Sequence, residues 1–352
     1  MPDKDFYKEF NKPTKEEWRR VLGDAADTEF VFSDKLHTPV FIHESDAKRL
    51  HPLSHREQND WQIISSIRAK DGPSANRLAL QALKGGADGI LLNISLTPLP
   101  SLRALFTGIR LDMIEVFFTT RKQDQKNFFR VAEAFANYVQ DHTIITAGGG
   151  FALDPFKAMR LKREIETYQN FLAGALPGFV PFRLYMKRDI PPAEALGLLT
   201  RQLDKLLEKF APTSIRELTD VLLPADTNIH RTIGLVRAFR LLWGRLADKR
   251  NHPVQPKLIV EPDTSKWKDD INTNRILTTV QYMGAAIGGT DQIIVPDTGD
   301  DRFAARIFRN IQHIMKMEAF MDRVNDPAAG SKFYDELAAR IADAAWAHYK
   351  AP

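Results

Sequence analysis

Eight short runs rich in β-branched and aromatic residues, each followed by a stretch of helical periodicity, set the strongest limit on how this 352-residue chain can fold. The strand-like runs fall at residues 62–67, 89–94, 113–119, 143–147, 182–186, 220–223, 257–260 and 292–295. Between them, segments such as 74–84, 125–139, 193–210, 232–246 and 274–286 return apolar residues to one helix face. Strands that alternate with helices run parallel, because each crossover brings the chain back to the same edge. Eight such units point to an α/β fold, a (β/α)8 TIM barrel. An open dinucleotide-binding sheet fits less well, since no Gly-x-Gly-x-x-Gly follows the first strand.

Turn chemistry supports this register. Asp71, Gly72, Pro73 and Ser74 form a turn and cap before the first helix. Gly85 and Gly86 end that helix, where a left-handed residue is needed. Pro191 and Pro192 open the fifth helix, where a missing N–H costs little. Residues 1–58 do not follow the rhythm. They hold a short amphipathic helix at 14–22 and then irregular chain rich in His, Pro and Asp. The expected organisation is an N-terminal arm at 1–58, the barrel at 59–325, and a C-terminal turn and helix at 326–352 that close it.

Composition narrows the function classes. Hydrophobic content is 43% and charged content 27%, as in ordinary globular chains. No apolar run approaches the roughly 20 residues of a membrane span. The N-terminus is charged from its start, unlike a secretory signal, so a cytoplasmic location is expected. With no cysteine, disulfides, thiolate metal sites and thiol nucleophiles are excluded. The net charge of +4 is a slim excess of 49 basic over 45 acidic side chains. No basic run is interleaved with aromatics, so nucleic acid is not an expected partner. Mild basicity suits an anionic ligand or an acidic partner subunit.

The C-terminal fifty residues carry the most specific pattern. Arg306, Arg309, Asn310 and Gln312 are followed by Glu318, then Asp326, Pro327, Gly330 and Ser331, then Glu336, Leu337 and Trp346. This block resembles the barrel domain of the methylmalonyl-CoA mutase family. Trp18 and Trp61 match the family's N-terminal arm and first strand. Asn76, Leu83, Gly86 and Ala87 match the first βα unit of its smaller subunits. Arg237, Ala238, Arg240, Leu241 and Trp243 match a further helix motif, so the resemblance covers nearly the whole chain. From the residues alone, the block reads as structural: Asp326 and Pro327 start a turn that Gly330 lets return, and Trp346 is an apolar anchor.

Active members of that family rearrange acyl-CoA carbon skeletons by radicals generated from adenosylcobalamin. The resemblance implies a Tyr-His pair ending the fifth strand; here Tyr185 is kept and Met186 holds the histidine position. A thioether cannot donate the polarising hydrogen bond. Ile294 and Pro296 stand where the eighth strand of active members has His and Asn, and Leu235 stands at a lysine position. Gly288, Gly289, Asp291, Val295 and Pro296 look instead like the family's small, β-type subunits. No Asp-x-His-x-x-Gly cobalamin motif is found; Asn228, His230 and Gly234 form only an incorrectly spaced decoy. The chain stops at Pro352, where the linker to a cobalamin domain would begin.

Other candidates have plainer readings. Gly148, Gly149 and Gly150 follow the expected fourth strand and could bring backbone N–H groups to a phosphate, or be a plain loop before Asp154. His37, His43, His51 and His55 crowd the arm with Glu44 and Asp46, but no spacing converges them on a metal. Asp297, Asp300 and Asp301 form an acidic loop that caps the eighth helix.

The resulting expectation is a non-catalytic small subunit of an adenosylcobalamin-dependent methylmalonyl-CoA mutase. It binds no cofactor itself and forms a heterodimer with a larger catalytic subunit, or self-associates. Two alternatives stay open. One is an active isomerase half using cobalamin carried on a separate chain. The other is a stand-alone barrel that binds a CoA-like metabolite.

Overall fold

A computed structural model describes residues 13–33, 35–47, 50, 53, 56–94, 98–120, 128–144, 146–158, 162–210, 218–252, 254–299 and 301–351. His51, His55 and Asp300 lie outside them. The arm starts with helix α1 (Lys15–Leu22), whose capping box pairs Thr14 with Glu17: Glu17 N–H donates to Thr14 Oγ1 at 3.2 Å, and Thr14 N–H to Glu17 Oε2 at 2.8 Å. Strands β1 (Glu29–Ser33) and β2 (Leu36–Pro39) then form an antiparallel hairpin. The sequence reading had irregular chain here. The alternation that it passed over is Phe30 and Phe32 facing in, with Glu29 and Val31 facing out, a two-residue period too short to stand out beside the barrel strands.

The barrel follows in order: β3 (Gln62–Ala69), α2 (Gly72–Lys84), β4 (Gly89–Ile94), α3 (Leu102–Leu105), β5 (Glu115–Thr119), α4 (Phe129–Asp141), β6 (Gly148–Phe151), α5 (Pro155–Ala158), α6 (Lys162–Ala175), β7 (Phe179–Val180), β8 (Phe182–Tyr185), α7 (Pro192–Phe210) and β9 (Thr219–Ala225). It ends with α8 (Ile229–Arg250), β10 (Leu258–Pro262), α9 (Ile271–Gly288), β11 (Gln292–Val295), α10 (Arg302–Met317) and, after a turn, α11 (Lys332–Lys350). The parallel sheet runs β7-β6-β5-β4-β3-β11-β10-β9-β8. Its two edge segments, β7 and β8, are separated only by Pro181, which has no N–H to give the ladder. They act as one interrupted fifth strand, β7 pairing with β6 and β8 with β9, so nine segments make an eight-stranded, closed barrel.

One strand is displaced from its expected place. The fourth is not 143–147 but the glycine run itself, β6. Thr143 adopts a left-handed φ of 53°, which turns the chain after α4. Gly149 has φ 142°, and a Cβ there would sit 1.9 Å from the Val116 carbonyl oxygen. Close approach of two backbones selected glycine where propensity favours β-branched residues. Two cores result. The larger fills the space between strands and helices and includes Trp61, Phe118, Phe135, Trp243 and Phe308. The smaller lies inside the barrel.

Candidate functional site

Alternation along the strands sends every second side chain to the barrel axis. Ile64, Leu91, Phe117, Ala152, Leu222, Ile259 and Ile294 meet there as a separate buried cluster, with Tyr185 packed against it. These come from each of the eight strand positions in turn, so the ring is complete. Towards the strands' N-terminal ends, Gln292 Nε2 donates to Gln62 Oε1 at 2.8 Å and to Glu115 Oε2 at 2.6 Å. Lys257 also donates to Glu115. Arg183 and Asp220, on neighbouring strands, form a buried two-pronged pair at 2.7 and 2.8 Å, and the guanidinium lies 5.1 Å from the Phe117 ring centre. Burial opposes the Arg183 charge, but Asp220 outweighs it and raises the guanidinium pKa. The axis is thus packed from a polar floor to an apolar ring, the usual state of such a barrel. Sequence reasoning missed Arg183 and Asp220. The available signal was one charge at an inward position on each of two adjoining strands.

At the C-terminal mouth, Arg188 donates to Glu261 at 2.7 Å and to Asp263 at 3.3 Å. Tyr185 turns inward and its hydroxyl donates to the Ala152 carbonyl at 3.0 Å. Burial raises its pKa against the pull of Arg183, so the phenol stays neutral with its proton held by main chain. Met186, the next residue, points the other way. It is 6% exposed and belongs to the outer core. It lines a cleft of about 170 Å³ together with Leu235, Phe32, Arg188, Arg231 and Lys266. The structure therefore brings together two of the substituted positions, Met186 and Leu235, under the β1 strand of the arm. Arg231 fastens that strand by donating to the Val31 carbonyl at 3.4 Å. The cleft has an apolar floor and a mainly cationic rim, so it can hold a small anion-bearing group but offers no acid–base pair on its floor.

The remaining candidates are scattered. Ile294 is in the interior ring, on the opposite side of its strand from Val295. Pro296 lines a separate void of about 30 Å³ beside Ser66 and Arg309. Gly148, Gly149 and Gly150 are strand, not a loop after one; their backbone pairs with β5 on one side, and Gly149 and Gly150 pair with β7 on the other. His230 sits in the first turn of α8, with Nδ1 2.8 Å from the Tyr334 hydroxyl and its ring against Phe30 and Phe333. Burial lowers its pKa. His37 lies 3.3 Å from Glu29, and His43 Nδ1 lies 2.9 Å from Ser45 Oγ. No group of three metal-ligating side chains forms among the described residues. Asp301 caps α10, accepting from Ala304 N–H at 2.9 Å.

The C-terminal block joins elements. Gln312 Oε1 accepts from Trp61 Nε1 at 3.1 Å, tying α10 to the start of β3. Arg237 on α8 donates to Asp326 at 2.6 Å and to Asp335 at 2.9 Å. Arg240 holds Asp291 at 2.9 Å and the Gly289 carbonyl at 3.0 Å. Burial works to raise the Asp291 pKa, but the Arg240 and Arg56 charges hold it below the ordinary carboxylate value. Gly330 takes φ 81°, and Ser331 caps α11. The α8 motif is therefore bonded directly to the Asp-Pro turn and to α11, while the α10 motif is bonded to the start of β3.

A family model described as methylmalonyl-CoA mutase matches residues 222–351, which contain this network apart from Trp61 and Arg56. Over this stretch the chain is similar to the methylmalonyl-CoA mutase family. Across the wider chain, the methylmalonyl-CoA mutase small subunit of Porphyromonas gingivalis is 27% identical over 330 residues, 83% of this chain and 52% of that one. A probable methylmalonyl-CoA mutase small subunit of Mycobacterium bovis is 34% identical over 143 residues, 37% of this chain and 23% of the relative. The methylmalonyl-CoA mutase large subunit of Propionibacterium freudenreichii subsp. shermanii is 31% identical over 134 residues, covering 34% and 18%. The chain thus spans about half the length, or less, of these mutase relatives. No helix among the described residues is long and apolar enough to cross a membrane.

Proposed function

We propose that this chain is a small, β-type subunit of an adenosylcobalamin-dependent methylmalonyl-CoA mutase, that it is not catalytic, and that it pairs with a larger catalytic subunit in a cytoplasmic complex. The observation that carries this reading is the filled barrel axis. A complete apolar ring, with Ile294 in it, stands where an acyl-CoA chain would have to pass. Met186 supports it, because it faces the outer core and offers no donor to a substrate carbonyl on the axis. The mouth does not fit the cofactor either. His230 is engaged by Tyr334, and Arg188 bridges Glu261 and Asp263, so no step through cobalamin is assigned to these residues.

In this reading residues 1–58 are the arm, 59–325 the barrel and 326–352 its closing turn and helix, and the partner is met through arm and barrel surface. Phe303, Ile314 and Met317 on α10, with Phe320 and Val324 just after it, are exposed apolar side chains suited to such a contact. Co-expression with a larger mutase subunit from the same source, followed by size-exclusion chromatography, should give a one-to-one complex. Ile314→Glu with Met317→Glu should weaken it while leaving the isolated chain folded. Two chains that elute separately at micromolar concentration would contradict the pairing.

A further inference from the structure

We propose that the groove between α2 and α10, on the outside of the barrel, binds a ligand through its phosphate groups. The groove has a volume of about 590 Å³, within the ordinary range of small-molecule sites. Lys84, Arg302, Arg306 and Arg309 line it, with Arg77 on its wall, and no Asp or Glu is among its described lining residues. It lies away from the axis and from the Met186 cleft, and it shares α10 with the proposed partner contact.

Arg309 is the deciding residue. It is 4% exposed, yet its Nε is buried with no acceptor, and none of the described residues accepts from its guanidinium. The other large buried arginines are neutralised. Arg183 faces Asp220, Arg237 faces Asp326 and Asp335, and Arg240 faces Asp291. A buried charge without a counter-charge is costly. Burial accordingly lowers the Arg309 pKa, with only Tyr282 acting against it. The nearby carboxylates are committed elsewhere: Asp301 to the α10 cap, and Asp297 to Arg68 at 3.1 Å and Gly299 N–H at 2.9 Å.

The walls are built to keep Arg309 where it is. A Cβ at Gly85 would lie 3.0 Å from its Nε and 3.1 Å from its terminal nitrogen, so the guanidinium packs closely over this glycine. His313 Nε2, 3.0 Å from the Gly85 carbonyl, locks the two helices in that relation. Guanidinium forks match phosphate oxygens two at a time, and several cations around one groove favour a multiply charged anion over a single carboxylate. The phosphates of a free oligophosphate and those of a nucleotide share this chemistry.

Isothermal titration of the full chain at fixed ionic strength, with pyrophosphate and separately with ADP, tests the site. Both should bind, and R302Q/R306Q, which changes two exposed side chains, should weaken binding at least about tenfold with an unchanged melting temperature. ADP binding more tightly than pyrophosphate would name a nucleotide; equal affinities would name the phosphates alone. R309Q should also lose binding, and its ligand-free form should melt higher than the parent because an uncompensated buried charge is gone. Absence of binding by either probe, affinity unchanged in R302Q/R306Q, or equal binding of sulfate and acetate (an adventitious ion only) would overturn the proposal.

Discussion

Arg237 is wholly buried on α8 and donates at once to Asp326 in the closing turn and Asp335 on α11. Removing such a cation leaves two buried carboxylates facing one another. Arg237→Met is therefore expected to cost about 3–5 kcal/mol in denaturant unfolding; a loss under 1 kcal/mol would show that the turn is held by other contacts. Gly149→Ala belongs to the same scale. Its Cβ would have to occupy the position of the Val116 carbonyl, so β6 could not keep its pairing with β5. The expected outcome is insoluble protein or a melting temperature lowered by many degrees, whereas Gly148→Ala, which meets nothing within 4 Å, should be close to neutral. The motif residues Arg237, Asp326 and Gln312 were visible in the sequence. Their bonding partners were not, because each bond crosses tens to hundreds of positions. Arg183 and Asp220 were hidden for the same reason.

Among elements, α7, α8 and α11 are pinned at one point, Asp204. It accepts from Lys249 at 3.1 Å and Tyr349 at 2.7 Å, and also from Arg250. Burial tends to raise its pKa, but the hydrogen bonds from Arg250, Tyr349 and Lys249 outweigh this and bring it down to about 2. A depressed carboxylate stabilises the fold above its unfolded value near 4 and loses that contribution as pH falls through about 2. The contribution is about 2 kcal/mol. Asp204→Asn should remove most of it at pH 7 and flatten the acid limb of the stability curve between pH 4 and 2, as followed by circular dichroism; an unaltered acid limb would contradict this assignment. Seven of the eight strand positions were legible from periodicity. β6 was not, since a run of glycines carries no side-chain pattern, and the hairpin of the arm was obscured by its brevity.

At the scale of the molecule, closure depends on an interrupted strand and an axis filled by one side chain from each strand position. The barrel itself followed from the eight-fold rhythm, while of the substituted positions Met186, Ile294 and Pro296 only Ile294 belongs to its packed interior. The structure distributes these over three places, the outer cleft, the axis and a small void, so restoring one residue does not rebuild a site. Met186→His is expected to leave the chain without isomerase activity and to cost about 1–3 kcal/mol by burying an imidazole in an apolar pocket. Measurable turnover by that single variant would show that the axis opens in solution. The most direct test is the isomerisation assay itself: purified chain with methylmalonyl-CoA, adenosylcobalamin and a separately expressed cobalamin-binding domain, followed by succinyl-CoA formation. A non-catalytic small subunit gives no product above the protein-free control until the larger subunit is added; product formed without that subunit would contradict the account.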